Sequence, residues 1–141
     1  MNLSQLHKQT FVVQSRTSEC AHLVELLAAF IKSNDIPGEI NNDLQLVLEE
    51  AFVNIVDYAH PKDKDHSITV EFNNNADSIS ITFIDSGIAF NPLTDCDANI
   101  ETDDHCEGGM GIHIIKSLTD EQKYDRIKQH NVFTVTKHYN K

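Results

Sequence analysis

The sequence predicts an α+β fold: a two-layer sandwich with a mixed, mostly antiparallel sheet on one side and helices gathered on the other. Two segments near the start repeat apolar residues every three to four positions, as helices do. A pair of segments that alternate apolar with polar residues follows them, as half-buried strands do. After a long loop, one short helical stretch leads into two more alternating runs. The resulting order, β-α-α-β-β-loop-α-β-β, keeps strands beside strands, which favours hairpins with a helix layer on one face. A chain of 141 residues suits one domain, taken as residues 1–141, with a core of its own.

Residues 10–14 read as a short strand through Phe11, Val12 and Val13. Thr17 or Ser18 can cap a helix reaching about Asn34, with the stripe Leu23, Leu26, Leu27, Phe30 and Ile31. Pro37-Gly38 breaks the chain. A second helix spans about 39–59, and Pro61 follows its end. Ile68, Val70 and Phe72 share one face of a strand over 67–72. Asn73-Asn74-Asn75 reads as the turn of a hairpin whose second strand covers about 78–85. Residues 86–108 make a long, acidic loop, and such loops are more often lids or binding segments than fillers. Residues 109–118 can form a short helix, and 122–128 and 132–138 two strands around a turn at His130-Asn131.

Eleven basic residues against 22 acidic ones give a net charge of −11. That opposes nucleic acid, which needs clustered Lys and Arg, and it opposes anionic membranes. A protein partner, or a ligand held by backbone groups and a cation, fits better. Residues 1–16 hold no apolar run of a signal peptide, and no stretch nears the roughly 18 apolar residues of a membrane span. Cys20, Cys96 and Cys106 are an odd, scattered set, so a reduced, cytoplasmic protein is expected.

Three segments carry chemistry. On the second helix the core stripe is Leu44, Val47, Leu48, Ala51 and Ile55. Glu50 and Asn54, four apart, stack on a face roughly 80–120° round from it, at the margin a ligand can reach. Glu49 points to the far side, toward solvent. A carboxylate and an amide oxygen so placed suit magnesium, which prefers hard oxygen ligands; the plain alternative is a solvated helix face. Asp85 ends a strand in which Ile79, Ile81 and Phe83 share its parity, so it points at the apolar layer. A carboxylate there needs a donor, such as an adenine amino group, unless it merely caps a turn. Gly87 clears space for a flat ligand. Gly108-Gly109-Met110-Gly111-Ile112 opens a helix, so backbone N–H groups can face phosphate; the plain alternative is a hinge. No Lys-Ser/Thr follows, so it is not a P-loop.

In this order and spacing the segments resemble the ATP-binding Bergerat (GHKL) fold shared by gyrase, histidine kinases and MutL. Glu50-Ala51-Phe52-Val53-Asn54 looks like its N box, Asp85-Ser86-Gly87-Ile88-Ala89-Phe90-Asn91-Pro92 like its first glycine box, and the glycines 108–111 like its second. The nearer likeness is to the anti-sigma-factor serine kinases. It rests on Leu48-Glu49-Glu50-Ala51 through Tyr58-Ala59, the Phe90-Asn91-Pro92 ending and Gly109-Met110-Gly111-Ile112-His113-Ile114-Ile115-Lys116 through Asn131-Val132-Phe133-Thr134. The resemblance covers residues 11–137. It implies that Glu50 is a general base and that Asn54 ligates magnesium. It implies that Asp85, Gly87 and Phe90 surround adenine, and that Gly108, Gly109, Met110, Gly111 and Ile112 meet the phosphates. It implies that Thr134 supports Asp85 or adenine. It further implies ATP and Mg2+ as cofactors and a serine of a STAS-type anti-anti-sigma protein as phosphate acceptor. A sigma factor would be held until the unphosphorylated partner frees it.

The loop over 91–107 departs from those relatives. It holds no Lys or Arg, but Asp95, Asp97, Glu101, Asp103, Asp104, His105 and Glu107. Magnesium, Lys116, a second subunit or the partner must then offset the phosphate charge. Tyr58 stands where those relatives often have His. Two other readings are a nucleotide-binding module that sequesters a partner without transfer, and the catalytic part of a split histidine kinase. The latter needs a phosphoacceptor helix that no segment is free to supply. The partners that the resemblance allows also include a sigma factor and a second copy of the chain as a homodimer. Cys96, His105 and Cys106 match no standard zinc spacing. Cys20 is expected in the core or on the helix surface, and the eight histidines mostly on the surface.

Overall fold

The computed structural model describes residues 7–59, 66–94 and 109–140, with the backbone alone for 109 and 110. Strands Lys8–Gln14 (β1), Ser67–Asn74 (β2), Ser78–Asp85 (β3), Glu121–Ile127 (β4) and His130–His138 (β5) form one sheet in the order β1-β2-β3-β5-β4. All four pairings are antiparallel, so the sheet expected to be mixed has no parallel pair among the described residues.

Period-two patterning fixes the buried face. Ile68, Val70 and Phe72 of β2, Ile79, Ile81 and Phe83 of β3, and Phe133 and Val135 of β5 are all buried. Register lines them up: Val70 pairs with Phe83, Phe83 with Phe133, and Ile81 with Val135. Phe83 and Phe133 stack with ring centroids 6.3 Å apart. The core is completed by helices Cys20–Ser33 (α1), Asn41–Asn54 (α2) and Gly109–Leu118 (α3). α1 buries Leu23, Leu27, Phe30 and Ile31, and α2 buries Leu44, Val47, Leu48, Ala51 and Phe52. Burying each such large side chain contributes about 1.5–3 kcal/mol. α2 packs against both α1 and α3, which places its C-terminal turn beside the start of α3.

Four local expectations are corrected. Neither Thr17 nor Ser18 caps α1; a 3-10 turn, Thr17–Glu19, leads into it, and the residues at both helix starts make no side-chain cap bond. The second helix is not uniform: Gly38–Ile40 is 3-10, Asn41–Asn54 is α, and Ile55–Ala59 is a π-helical turn. Asn73 and Asn74 belong to β2, not to a turn. Asn74 is buried, taking a bond from the Tyr139 hydroxyl and donating to Asn34 at 3.4 Å. The last hairpin turns at Lys128 and Gln129, both with positive φ, rather than at His130-Asn131.

Candidate functional site

Helical spacing places Glu50 and Asn54 on one side of the C-terminal turn of α2. Glu50 is half-buried and Asn54 is only 3% exposed. The Asn54 Nδ2 is buried with no hydrogen-bond partner among the described residues. An unsatisfied buried amide costs about 1–3 kcal/mol, so such a group points to a ligand. An amide whose nitrogen makes no bond among the described residues can be turned over without losing a bond on that side, so its oxygen can take the same place. A hard oxygen donor at this place fits magnesium.

The π turn carries the chain from Asn54 toward the loop after β3. The Ala59 carbonyl accepts from Ile88 N–H at 3.1 Å, and the Tyr58 ring stacks on Phe90 with centroids 5.5 Å apart. Wide turns of this kind often sit at functional sites because they redirect a helix locally. In that loop, Asp85 is buried on the helix-facing side of the sheet, and Gly87 and Phe90 are buried beside it. Asp85 Oδ1 accepts from Gly87 N–H at 2.8 Å, so this residue does cap its own turn. It also accepts from Asn131 Nδ2 at 3.0 Å.

Gly111 brings the start of α3 against the second helix. A Cβ built on it would overlap Glu50 Oε1 and stand 3.2 Å from Glu50 Cδ. The first turn of α3 therefore lies against the Glu50 carboxylate, and only a glycine allows that approach.

The family model for the histidine kinase-like ATPase domain matches residues 13–137. The chain belongs to the histidine kinase-like ATPase domain family. It is also similar to Serine-protein kinase RsbW of Bacillus subtilis (strain 168), 28% identical over 106 residues that cover 70% of this chain and 64% of that protein. The match spans a little under two thirds of the relative's length.

As a histidine kinase-like ATPase domain, the chain has an ATP-binding fold, in which the turn after α2 and the loop after β3 meet through Ala59 and Ile88. Gly109, Met110 and Gly111 form the first turn of α3. The Ile112 side chain is fully buried in the core, so its backbone is what it can offer a ligand. Gly108 lies outside the described residues, as do Cys96, His105 and Cys106. Thr134 is corrected: it lies on the sheet face opposite Asp85, where its hydroxyl pairs with Thr82 at 3.0 Å. The residue that supports Asp85 is Asn131. Its parity with buried Phe133 and Val135 was the available clue, hidden by the turn placed on it.

Glu49 is half-buried rather than solvated. Burial, and then the charges of Glu49 and Glu50, push the Cys20 thiol from its ordinary 9.0 up to about 11. Lys116 lies in the last turn of α3, about 10 Å along the axis from Gly109. Arg126 Nη1 donates to the Gly87 carbonyl at 2.9 Å, at the Asp85 end of the site. Among the described residues, no helix is long and apolar enough to cross a membrane.

Proposed function

We propose that this chain is a protein-serine kinase, acting as a single domain over residues 1–141. It transfers the γ-phosphate of ATP to a STAS-type anti-anti-sigma protein and so controls the availability of a sigma factor. The observation that carries this reading is the approach of Gly111 to Glu50, which sets a carboxylate against the first turn of a glycine-opened helix. Similarity to a serine-protein kinase supports it.

In this reading the Asp85 carboxylate accepts from the adenine amino group, with Gly87 and Phe90 beside the ring. Backbone N–H groups of residues 108–112 face the phosphates, favoured by the α3 dipole. Asn54 holds magnesium, which when bound offsets phosphate charge. Glu50 takes the proton from the partner's serine hydroxyl as its oxygen attacks the γ-phosphorus and the bond to ADP breaks. Such transfer depends on positioning and charge stabilisation, and a serine hydroxyl is too weak a nucleophile to do without a base.

The test is purified chain with γ-labelled ATP and STAS-type proteins encoded near it. A serine of one of them becomes labelled. Glu50→Gln lowers that rate about 10²–10⁴-fold, the usual worth of a general base, and leaves ATP affinity within about threefold. ATP binding without labelling of any such protein would leave a nucleotide-binding module and sink the kinase.

A further inference from the structure

We propose that Asn131 is the positioning residue for adenine recognition, fixing the Asp85 carboxylate and the loop that follows it. The proposal rests on the reading that Asp85 accepts from an adenine amino group.

Asn131 is 3% exposed, and its amide is fully used. Nδ2 donates to Asp85 Oδ1 at 3.0 Å and to the Ile88 carbonyl at 2.8 Å. Oδ1 accepts from Phe90 N–H at 3.1 Å and from the Tyr124 hydroxyl. An Asn side chain has two donor hydrogens and two acceptor sites, so nothing is left over. The orientation is also determined. Phe90 N–H can only donate and the Ile88 carbonyl can only accept, so turning the amide over would break both bonds. One buried side chain thus ties the base-facing carboxylate to two backbone points of its own loop.

Strand register puts it there. Asn131 lies opposite Asp85 in the β3–β5 ladder and opposite Arg126 in the β4–β5 ladder. Tyr124 and Arg126, both from the edge strand, reach the same loop, one through Asn131 and the other through the Gly87 carbonyl. Thr134 cannot serve, since its hydroxyl is on the other face.

The experiment compares ATP with ITP, which carries a carbonyl where ATP has the 6-amino group. Wild-type chain binds ATP at least tenfold more tightly, as expected when a charged acceptor loses its donor. Asn131→Asp keeps the shape and the acceptor, removes both donor bonds and sets a second carboxylate against Asp85, which displaces it. It weakens ATP at least tenfold and ITP less than threefold, so the preference collapses. Tyr124→Phe removes one hydroxyl from a half-exposed position and keeps the proposal testable should the first variant not fold. It lowers the preference about two- to fivefold. Equal losses for both nucleotides, or an unchanged preference in Tyr124→Phe, would overturn the positioning role and reduce Asn131 to a packing residue. A wild-type chain that binds both alike, or neither, would overturn the adenine reading and this proposal with it.

Discussion

Gly111→Ala separates the catalytic worth of this glycine from its structural worth. The backbone accepts alanine, because no described glycine has positive φ and residue 111 lies within α3. Alanine is favoured over glycine inside a helix by about 0.5–1 kcal/mol. Against that, the new Cβ overlaps Glu50 Oε1 and stands 3.2 Å from Cδ and 3.4 Å from Cβ. The overlapped atom is the tip of a flexible side chain, so relief comes from turning Glu50 off its rotamer, at about 0.5–1.5 kcal/mol. The two terms nearly cancel. Net stability changes by less than about 1 kcal/mol, and Tm moves by less than about 5 °C. Phosphoryl transfer falls about 10²–10⁴-fold, because the base is no longer where the hydroxyl arrives. Thermal melts and γ-phosphate transfer on one preparation read both quantities. Glu50→Ala/Gly111→Ala, free of the overlap, melts above Glu50→Ala alone by the helix-propensity gain. Transfer within threefold of wild type in Gly111→Ala would refute the assignment of Glu50. A fall in Tm beyond about 10 °C would refute the claim that the side chain, not the helix, gives way.

Thr134→Val removes the hydroxyl paired with Thr82, costs about 0.5–1.5 kcal/mol in denaturant melts, and leaves ATP affinity within twofold. A tenfold loss would return Thr134 to the site. With Cys96 and Cys106 changed to Ser, Cys20 alkylates at pH 8 about 100-fold more slowly than an ordinary thiol, since its thiolate fraction is about 100-fold lower, and Glu49→Gln speeds it. The same raised value means that the Cys20 contribution to stability is intact below pH 9.0 and is lost as pH rises toward about 11, so Cys20→Ser flattens that part of the stability profile. Lys128 and Gln129 sit at φ 49° and 70°, a conformation that costs an ordinary residue about 1–2 kcal/mol. Lys128→Asn/Gln129→Gly supplies the preferred pair for a two-residue hairpin and raises Tm by roughly 3–8 °C; an unchanged melt would mean that the turn is unstrained.

The layers were legible because burial imposes a period. Ile68-Val70-Phe72 and Ile79-Ile81-Phe83 alternate, and the α2 stripe recurs at helical spacing. Both patterns appear in the structure on one shared core. Asparagine misled twice. Its preference for turns pulled the hairpin tips onto Asn73-Asn74 and Asn131, yet Asn74 and Asn131 are buried in strands with their amides bonded. Local preference lost to tertiary hydrogen bonding that composition does not reveal. Glu50, Asn54, Asp85 and the glycines of the proposed site could be singled out in the sequence because each motif depends on spacing within one segment. Support for Asp85 depends on register between β3 and β5, which a two-residue error in one turn is enough to hide.

The π turn at Ile55–Ala59 makes the site sensitive to counting. It takes one residue more than an α turn to reach Ala59, whose carbonyl meets Ile88. Were those same five residues to run on as a regular α-helix, everything after them would be rotated by about 100° and shifted by about 1.5 Å. Asn54 would stay in place while Tyr58 and Ala59 faced the wrong way. Anyone transplanting α2 between relatives must therefore carry residues 55–59 with it as a single cassette, because length here matters as much as identity.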